Sequence, residues 1–149
     1  MASLKKVLQK KKYIRIPLSK TGTNHLELKA AINGIEGYFI LDTGASNSCV
    51  GSMFIDFFEL DAQKSDEKAA GAGTTDMETQ KSHNNTLHIG DWFTYSFNII
   101  IFDLKHVNNA LKAHHAEPVH GIIGADVLEK GKAFIDYRKK VLYLKKTKK

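Results

Sequence analysis

Apolar and polar residues alternate along residues 24–32, which is typical of a β-strand with one buried face and one exposed face. Asn33-Gly34 follows, a favoured pair for a tight hairpin turn. The apolar residues 38–41 then predict a second, buried strand. Together these segments predict a hairpin whose second strand ends directly before Asp42.

The rest of the chain contains more segments of the same short, strand-forming kind. Strands are predicted over 13–18, 86–89, 93–102, 133–137 and 141–144, the first at a sheet edge because of Pro17. Apolar spacing predicts a helix over 104–115, and 125–129 predicts a shorter helix that stops near Gly131. Residues 51–60 are either a short helix or an irregular apolar segment, and 66–82 are polar without a core-forming pattern. The predicted fold class is all-β with one or two short helices.

Length and cysteine content narrow the class of protein. With 149 residues and no linker or repeat, the chain (1–149) is predicted to be a single domain. Cys49 is the only cysteine, which excludes a scaffold stapled by internal disulfides and zinc sites built from several cysteines. No stretch approaches the roughly 20 apolar residues of a membrane span. We therefore expect a soluble, cytoplasmic protein without a membrane partner.

The net charge of +6 is concentrated at the two ends of the chain. Residues 1–12 form a basic N-terminal segment that could be flexible, and 145–149 form a basic tail. Basic ends can bind nucleic acid, or they can simply keep a globular protein in solution. The second interpretation is favoured, because no aromatic residues are interleaved with the lysines and no nucleic-acid motif is present.

The first candidate for chemistry is the segment Leu41–Ser46, in which a buried strand runs into Asp42, Thr43 and Gly44. The pattern predicts a carboxylate at the end of a strand, followed by a turn with little side-chain bulk that a substrate can approach closely. The Thr43 hydroxyl can fix such a loop. Taken alone, the tripeptide is more often an ordinary aspartate at the start of a turn.

Two glycine-containing segments downstream strengthen this candidate. Ile122 and Ile123 precede Gly124 and a short predicted helix, an arrangement that can support the Asp42 loop from below, although a plain core strand is an alternative. Further upstream, Gly71, Ala72, Gly73 and Thr74 lie amid polar sequence. They suit a hairpin tip that closes over a ligand, or a plain surface loop. A phosphate-binding loop is disfavoured, because no P-loop lysine follows.

In this order, the three segments resemble the aspartic peptidases of the pepsin and retroviral-protease superfamily. Asp42–Ser46 (D-T-G-A-S) is similar to the catalytic loop, Gly71–Thr74 to the flap, and Ile122-Ile123-Gly124 to the element beneath the catalytic loop. The segments 134–137 and 141–144 resemble the last hairpin of single-domain bacterial members. Two departures are Ser46, where retroviral enzymes usually have an acid, and extra length over 91–118.

The resemblance implies a closed or partly open β-barrel of the acid-protease half-domain type. It also implies an aspartic endopeptidase without a cofactor, in which two carboxylates share a proton and activate a water molecule. Because the sequence contains one D-T-G, the complete site requires a homodimer, with Asp42 of both chains at the two-fold axis and Thr43 hydrogen-bonding across it. A peptide or an unfolded protein is the expected substrate. The alternative is a protease-like module that binds peptides or dimerises with little or no catalysis.

The remaining residues of types that can take part in catalysis or metal binding are interpreted as structural. Asp126 is interpreted as a helix cap or structural acid rather than a catalytic one. The seven histidines show no ligand spacing such as H-E-x-x-H, so no metal site is expected. Cys49 lacks a recognisable histidine partner and is interpreted as a small buried thiol.

Overall fold

The computed structural model describes residues 3–69 and 77–146, without the side chains of 65–69 and 77–78. Within these residues the strands are β1 Tyr13–Pro17, β2 Ser19–Lys20, β3 Leu26–Ile32, β4 Ile35–Leu41, β5 Cys49–Gly51, β6 Gln63–Ala69, β7 Met77–Ile89, β8 Trp92–Phe102, β9 Gly121–Ile123, β10 Phe134–Asp136 and β11 Val141–Lys145. The helices are α1 Leu4–Lys10, α2 Lys105–Ala113 and α3 Ala125–Lys130, with a 3₁₀ turn at Ser52–Phe54.

Six strands close into a barrel in the order β3, β4, β9, β5, β8, β7. The ring closes where β7 pairs with β3, with Ile32 opposite Leu87. Two of its pairings, β4 with β9 and β5 with β8, are parallel. The strands β2 and β6 extend the sheet beside β3 and β7. This architecture confirms the predicted all-β barrel of the acid-protease half-domain type.

The hairpin predicted around Asn33-Gly34 is confirmed and also helps to close the barrel. Both residues have positive φ angles, as a tight turn between β3 and β4 requires. The Asn33 side-chain amide donates to the backbone oxygen of Phe58 and to Asn85, and Asn33 Oδ1 accepts from the Thr86 N–H. Through these hydrogen bonds, the β3–β4 turn is attached to β7 and to Phe58, which follows the 3₁₀ turn.

The barrel interior is filled by large apolar side chains, among them the fully buried Phe39, Phe58, Leu87 and Trp92. Trp92 Nε1 donates to the backbone oxygen of Lys145 at 3.0 Å. This bond ties the barrel to a second sheet, in which β11 lies between β1 and β10. The predicted edge position of β1 is confirmed.

Two expectations about local structure were wrong or incomplete. The polar stretch 66–82 contains strand pairing, because β7 begins at Met77 rather than at residue 86 and pairs with both β6 and β8. The buried side chains in the first part of β7 are polar (Thr79, Ser82 and Asn85), so an apolar pattern could not reveal where the strand begins. The basic N-terminal segment contains a third helix, α1, whose Leu8 packs against Val141 and Tyr143.

No helix in the described ranges 3–69 and 77–146 combines the length and apolar character needed to cross a membrane.

Candidate active site

Asp42 stands directly after the last residue of β4 and is fixed from the neighbouring strand. Leu41 pairs with Ile123 of β9, and the Asp42 N–H donates to the backbone oxygen of Ile123 at 2.9 Å. Because β4 and β9 run parallel, their ends lie side by side, and the loops that follow them meet. The strand pairing therefore brings the D-T-G segment to the I-I-G segment.

A tight turn presents the carboxylate at the surface. The Ala45 N–H donates to the Asp42 backbone oxygen at 3.2 Å, and the Gly44 N–H donates to Asp42 Oδ1 at 2.9 Å. Asp42, Thr43 and Gly44 are all exposed in the single chain. The side chain of Asp42 is thus oriented by its own loop while it remains open to a substrate or a partner.

The β9–α3 junction supports this loop from the other side. The Ala125 N–H donates to the Ala45 backbone oxygen at 2.7 Å. A Cβ atom on Gly124 would lie 2.6 Å from that same oxygen, so only glycine allows the two backbones to approach this closely. Ile123 points into the barrel core, whereas Ile122 belongs to a separate apolar cluster on the outer face.

A second connection joins Ser48 to Asp126. The Ser48 N–H and hydroxyl both donate to the Asp126 carboxylate, the hydroxyl at 2.7 Å to Oδ1. The same hydroxyl accepts the Gly124 N–H at 2.9 Å. Ser48 is only 2% exposed, so its N–H and hydroxyl have no access to water, whereas Asp126 is half-buried. Asp126 is the structural acid that the sequence suggested, although Gly124 rather than Asp126 is the N-cap of α3.

The sequence does not indicate the importance of Ser48, because one serine near a turn is a common feature. The indication available in the sequence is an acid, Asp126, two residues after the I-I-G segment. Even a half-buried carboxylate is stabilised by hydrogen-bond donors, and a loop serine can supply two of them.

Replacing Ser48 with Ala should lower the free energy of unfolding by about 1–3 kcal/mol, because the buried Gly124 N–H and the half-buried Asp126 carboxylate each lose a partner. Urea unfolding measures this loss. The Ser48→Thr variant keeps the hydroxyl and should retain most of the stability. The matched control is Ser46→Ala, at an exposed position of the same loop. Equal stability of the two alanine variants would show that the Ser48–Asp126 connection does not support the loop.

An apolar cluster on the outer face of the barrel borders the Asp42 loop. It joins Ile40, Cys49 and Ile122 of the strands to Leu104 and Leu111 of the α2 region, and Ala45 packs against its edge. Burial raises the pKa of the Cys49 thiol to about 12, so the thiol stays protonated and is no nucleophile near neutral pH. This agrees with the interpretation of Cys49 as a small buried residue.

His120, directly before β9, lies in an aromatic cluster with Phe54, Phe57 and Phe58. Burial lowers its pKa, and its Nδ1 accepts the Tyr38 N–H at 3.1 Å, a role that requires an unprotonated nitrogen. Within the ranges that the structure describes, no three or more His, Cys, Asp or Glu side chains are grouped so that they could hold a metal ion.

The structure places the predicted site residues as follows. The predicted catalytic-loop residues Asp42, Thr43 and Gly44 lie beside the predicted supporting residues Ile122, Ile123 and Gly124. The predicted flap residues Gly71, Ala72, Gly73 and Thr74 lie outside the described residues.

Comparison with known proteins agrees with this geometry. A family model described as aspartyl protease matches residues 28–127. A search of curated proteins finds no significant match. Among solved structures, a retropepsin-like aspartic protease from Rickettsia conorii has a TM-score of 0.58 at 18% identity, covering 89% of each chain.

Two further structures share the fold. EIAV protease in complex with the inhibitor HBY-793 has a TM-score of 0.56 at 19% identity, covering 75% of this chain and 92% of that protein. The retroviral protease-like domain of Ddi1 from Leishmania major has a TM-score of 0.55 at 17% identity, covering 80% of this chain and 87% of that domain. At such low identity, these likenesses concern the fold alone.

Proposed function

Because the chain belongs to the aspartyl protease family, we propose that it is an aspartic endopeptidase whose active site forms between two copies of the chain. The observation that carries the proposal is the surface position of Asp42 in a loop that is held rigidly by β9 and α3. A carboxylate held in this way is pre-oriented for proton transfer. It is also free to meet a second carboxylate, because Asp42, Thr43 and Gly44 are exposed in the single chain.

The proposed chemistry uses the two Asp42 side chains as a pair. Two carboxylates about 3 Å apart cannot both be charged, so the pair holds one proton. The charged member takes a proton from a water molecule, which attacks the peptide carbonyl carbon, while the other member donates its proton to the carbonyl oxygen. Proton transfer to the leaving nitrogen then breaks the C–N bond. No covalent enzyme intermediate or cofactor is required.

The substrate we propose is a peptide or an unfolded protein segment lying extended across the dimer. The residues Gly71, Ala72, Gly73 and Thr74 remain the proposed flap, on the basis of the sequence alone. A cytoplasmic location also remains a proposal, supported by a single cysteine that forms no internal disulfide. Nucleic acid is the less favoured partner for the basic chain ends.

The dependence of activity on concentration tests this proposal. We expect cleavage of a fluorogenic peptide library, with activity per chain falling on dilution at the concentrations where sedimentation shows the dimer dissociating. The reason is that a monomer contains only one D-T-G loop. Constant activity per chain through this dissociation would contradict a shared site. A protein that binds a statine-type peptide mimic but cleaves nothing would instead be the binding module considered above.

A further inference from the structure

The outer face of the barrel beside the catalytic loop is apolar. In β4, Phe39 and Leu41 point into the core, so Ile40 between them points outward, where it meets Cys49 and Ile122. This face reaches the catalytic loop itself, because Ile40 precedes Asp42 by two residues and Ala45 follows it by three. Left uncovered, it would be an apolar pocket next to the reactive carboxylate.

Helix α2 and its flanking residues cover this face. Leu104, Val107 and Leu111 lie on one side of the helical segment and pack into the same cluster as Ile40 and Ile122. Leu111 is 1% exposed, so the apolar space beneath the helix is filled rather than open. The residues that cover the face all come from the stretch between β8 and β9.

Helix α2 is held in place by a buried amide. Asn108 Nδ2 donates to the backbone oxygen of Val119 at 3.1 Å, and Asn108 Oδ1 accepts the Val119 N–H at 2.8 Å. Asn108 is 7% exposed, so breaking this pair would leave buried polar groups without partners. At His114, directly after the last residue of the helix, the backbone also packs closely against Gly22, where an added Cβ would lie 2.7 Å from the His114 oxygen. The buried Asn108–Val119 pair therefore holds α2 against the barrel as a fixed wall rather than a mobile lid.

We propose that α2 determines substrate specificity: Leu111 and Val107 fill the apolar face beside Asp42, so only a small side chain fits next to the scissile bond. This inference rests on the proposed peptidase function. It follows that removing side-chain volume from α2 opens a pocket there. Larger apolar substrate residues would then enter it.

The test compares two statine-type peptide mimics and two matching peptide substrates that carry Ala or Phe beside the central bond. We expect the wild-type protein to prefer the Ala compounds. Leu111→Ala should shift the Phe-to-Ala ratio of Kd and of kcat/KM toward Phe by about tenfold or more, the scale on which apolar pockets discriminate size. Val107→Ala, at a partly buried position, should give a smaller shift of this ratio in the same direction. It provides the test of α2 if the Leu111→Ala protein does not fold.

The matched control is Leu8→Ala, which also removes a buried leucine from a helix that packs on strands, but in a different cluster. It should leave the Phe-to-Ala ratio unchanged. An unchanged Phe-to-Ala ratio in both Leu111→Ala and Val107→Ala would overturn the role of α2 in specificity, even if the protein cleaves peptides. Mimics that bind with the expected ratios, without any cleavage, would overturn the proposed catalysis and leave the role of α2 standing. If no mimic binds, both proposals fail.

Discussion

Replacing Asp42 with Asn should reduce kcat/KM by about 10²- to 10⁴-fold, the range that a positioned acid or base contributes. Asparagine has nearly the same shape, and its Oδ1 can still accept the Gly44 N–H, so the loop should keep its conformation. An amide cannot take a proton from water at neutral pH, and so the chemical step is lost. Activity on a fluorogenic peptide measures the effect, and sedimentation should show an unchanged dimer.

Mixing the two proteins makes this test specific for a shared site. An excess of the Asp42→Asn chain should trap wild-type chains in dimers with one carboxylate, so activity should fall well below that of wild-type protein alone at the same concentration. The control is Asp91→Asn, an exposed aspartate between β7 and β8, which should neither lose activity nor suppress it in mixtures. Full activity of the Asp42→Asn protein would refute the mechanism.

Replacing Gly124 with Ala should remove most of the activity and lower the free energy of unfolding by about 1–3 kcal/mol, as overpacking usually does. The new Cβ would lie 2.6 Å from the Ala45 backbone oxygen and 3.2 Å from the Ala45 Cβ. Gly124 has φ −112° and ψ −166°, an extended conformation open to any residue, so the effect is steric. The catalytic loop and the start of α3 would have to separate, stretching the Ala125–Ala45 hydrogen bond.

Gly131→Ala is the matched control for this variant. Its Cβ would also lie 2.6 Å from a neighbour, but that neighbour is Leu144 Cδ2, a side-chain tip that can move, and Gly131 ends α3 rather than contacting the catalytic loop. We expect a modest loss of stability and nearly unchanged kcat/KM per folded dimer. If the two variants lose activity equally, close contact at Gly124 has no particular role in positioning Asp42.

The parts of the fold that follow from local patterns could be predicted from the sequence. Alternation over 24–32, the Asn33-Gly34 turn and the buried run before Asp42 specify the β3–β4 hairpin without reference to the rest of the chain. The helical spacing of Leu104, Val107 and Leu111 likewise predicts α2. These features depend on residues a few positions apart, where periodicity is informative.

Features that depend on distant contacts could not be predicted in this way. The early start of β7 rests on pairing with β6 and β8 and buries Thr79 and Ser82, which carry no apolar signature. The partner of Asp126 is a serine 78 residues away, and only the three-dimensional structure identifies it. The surface that α2 covers depends on where β9 enters the sheet, which no local pattern specifies.

The order of the supporting residues along the chain has a consequence for biosynthesis. Asp42 leaves the ribosome long before Ile123, Gly124 and Asp126, whose backbone and side chains hold its loop. A growing chain therefore has no ordered catalytic loop until β9 has entered the barrel, and long-range pairing of this kind forms late in folding. On the proposed function, such a chain has no assembled site with which to cleave its neighbours, or itself, while it is still being made.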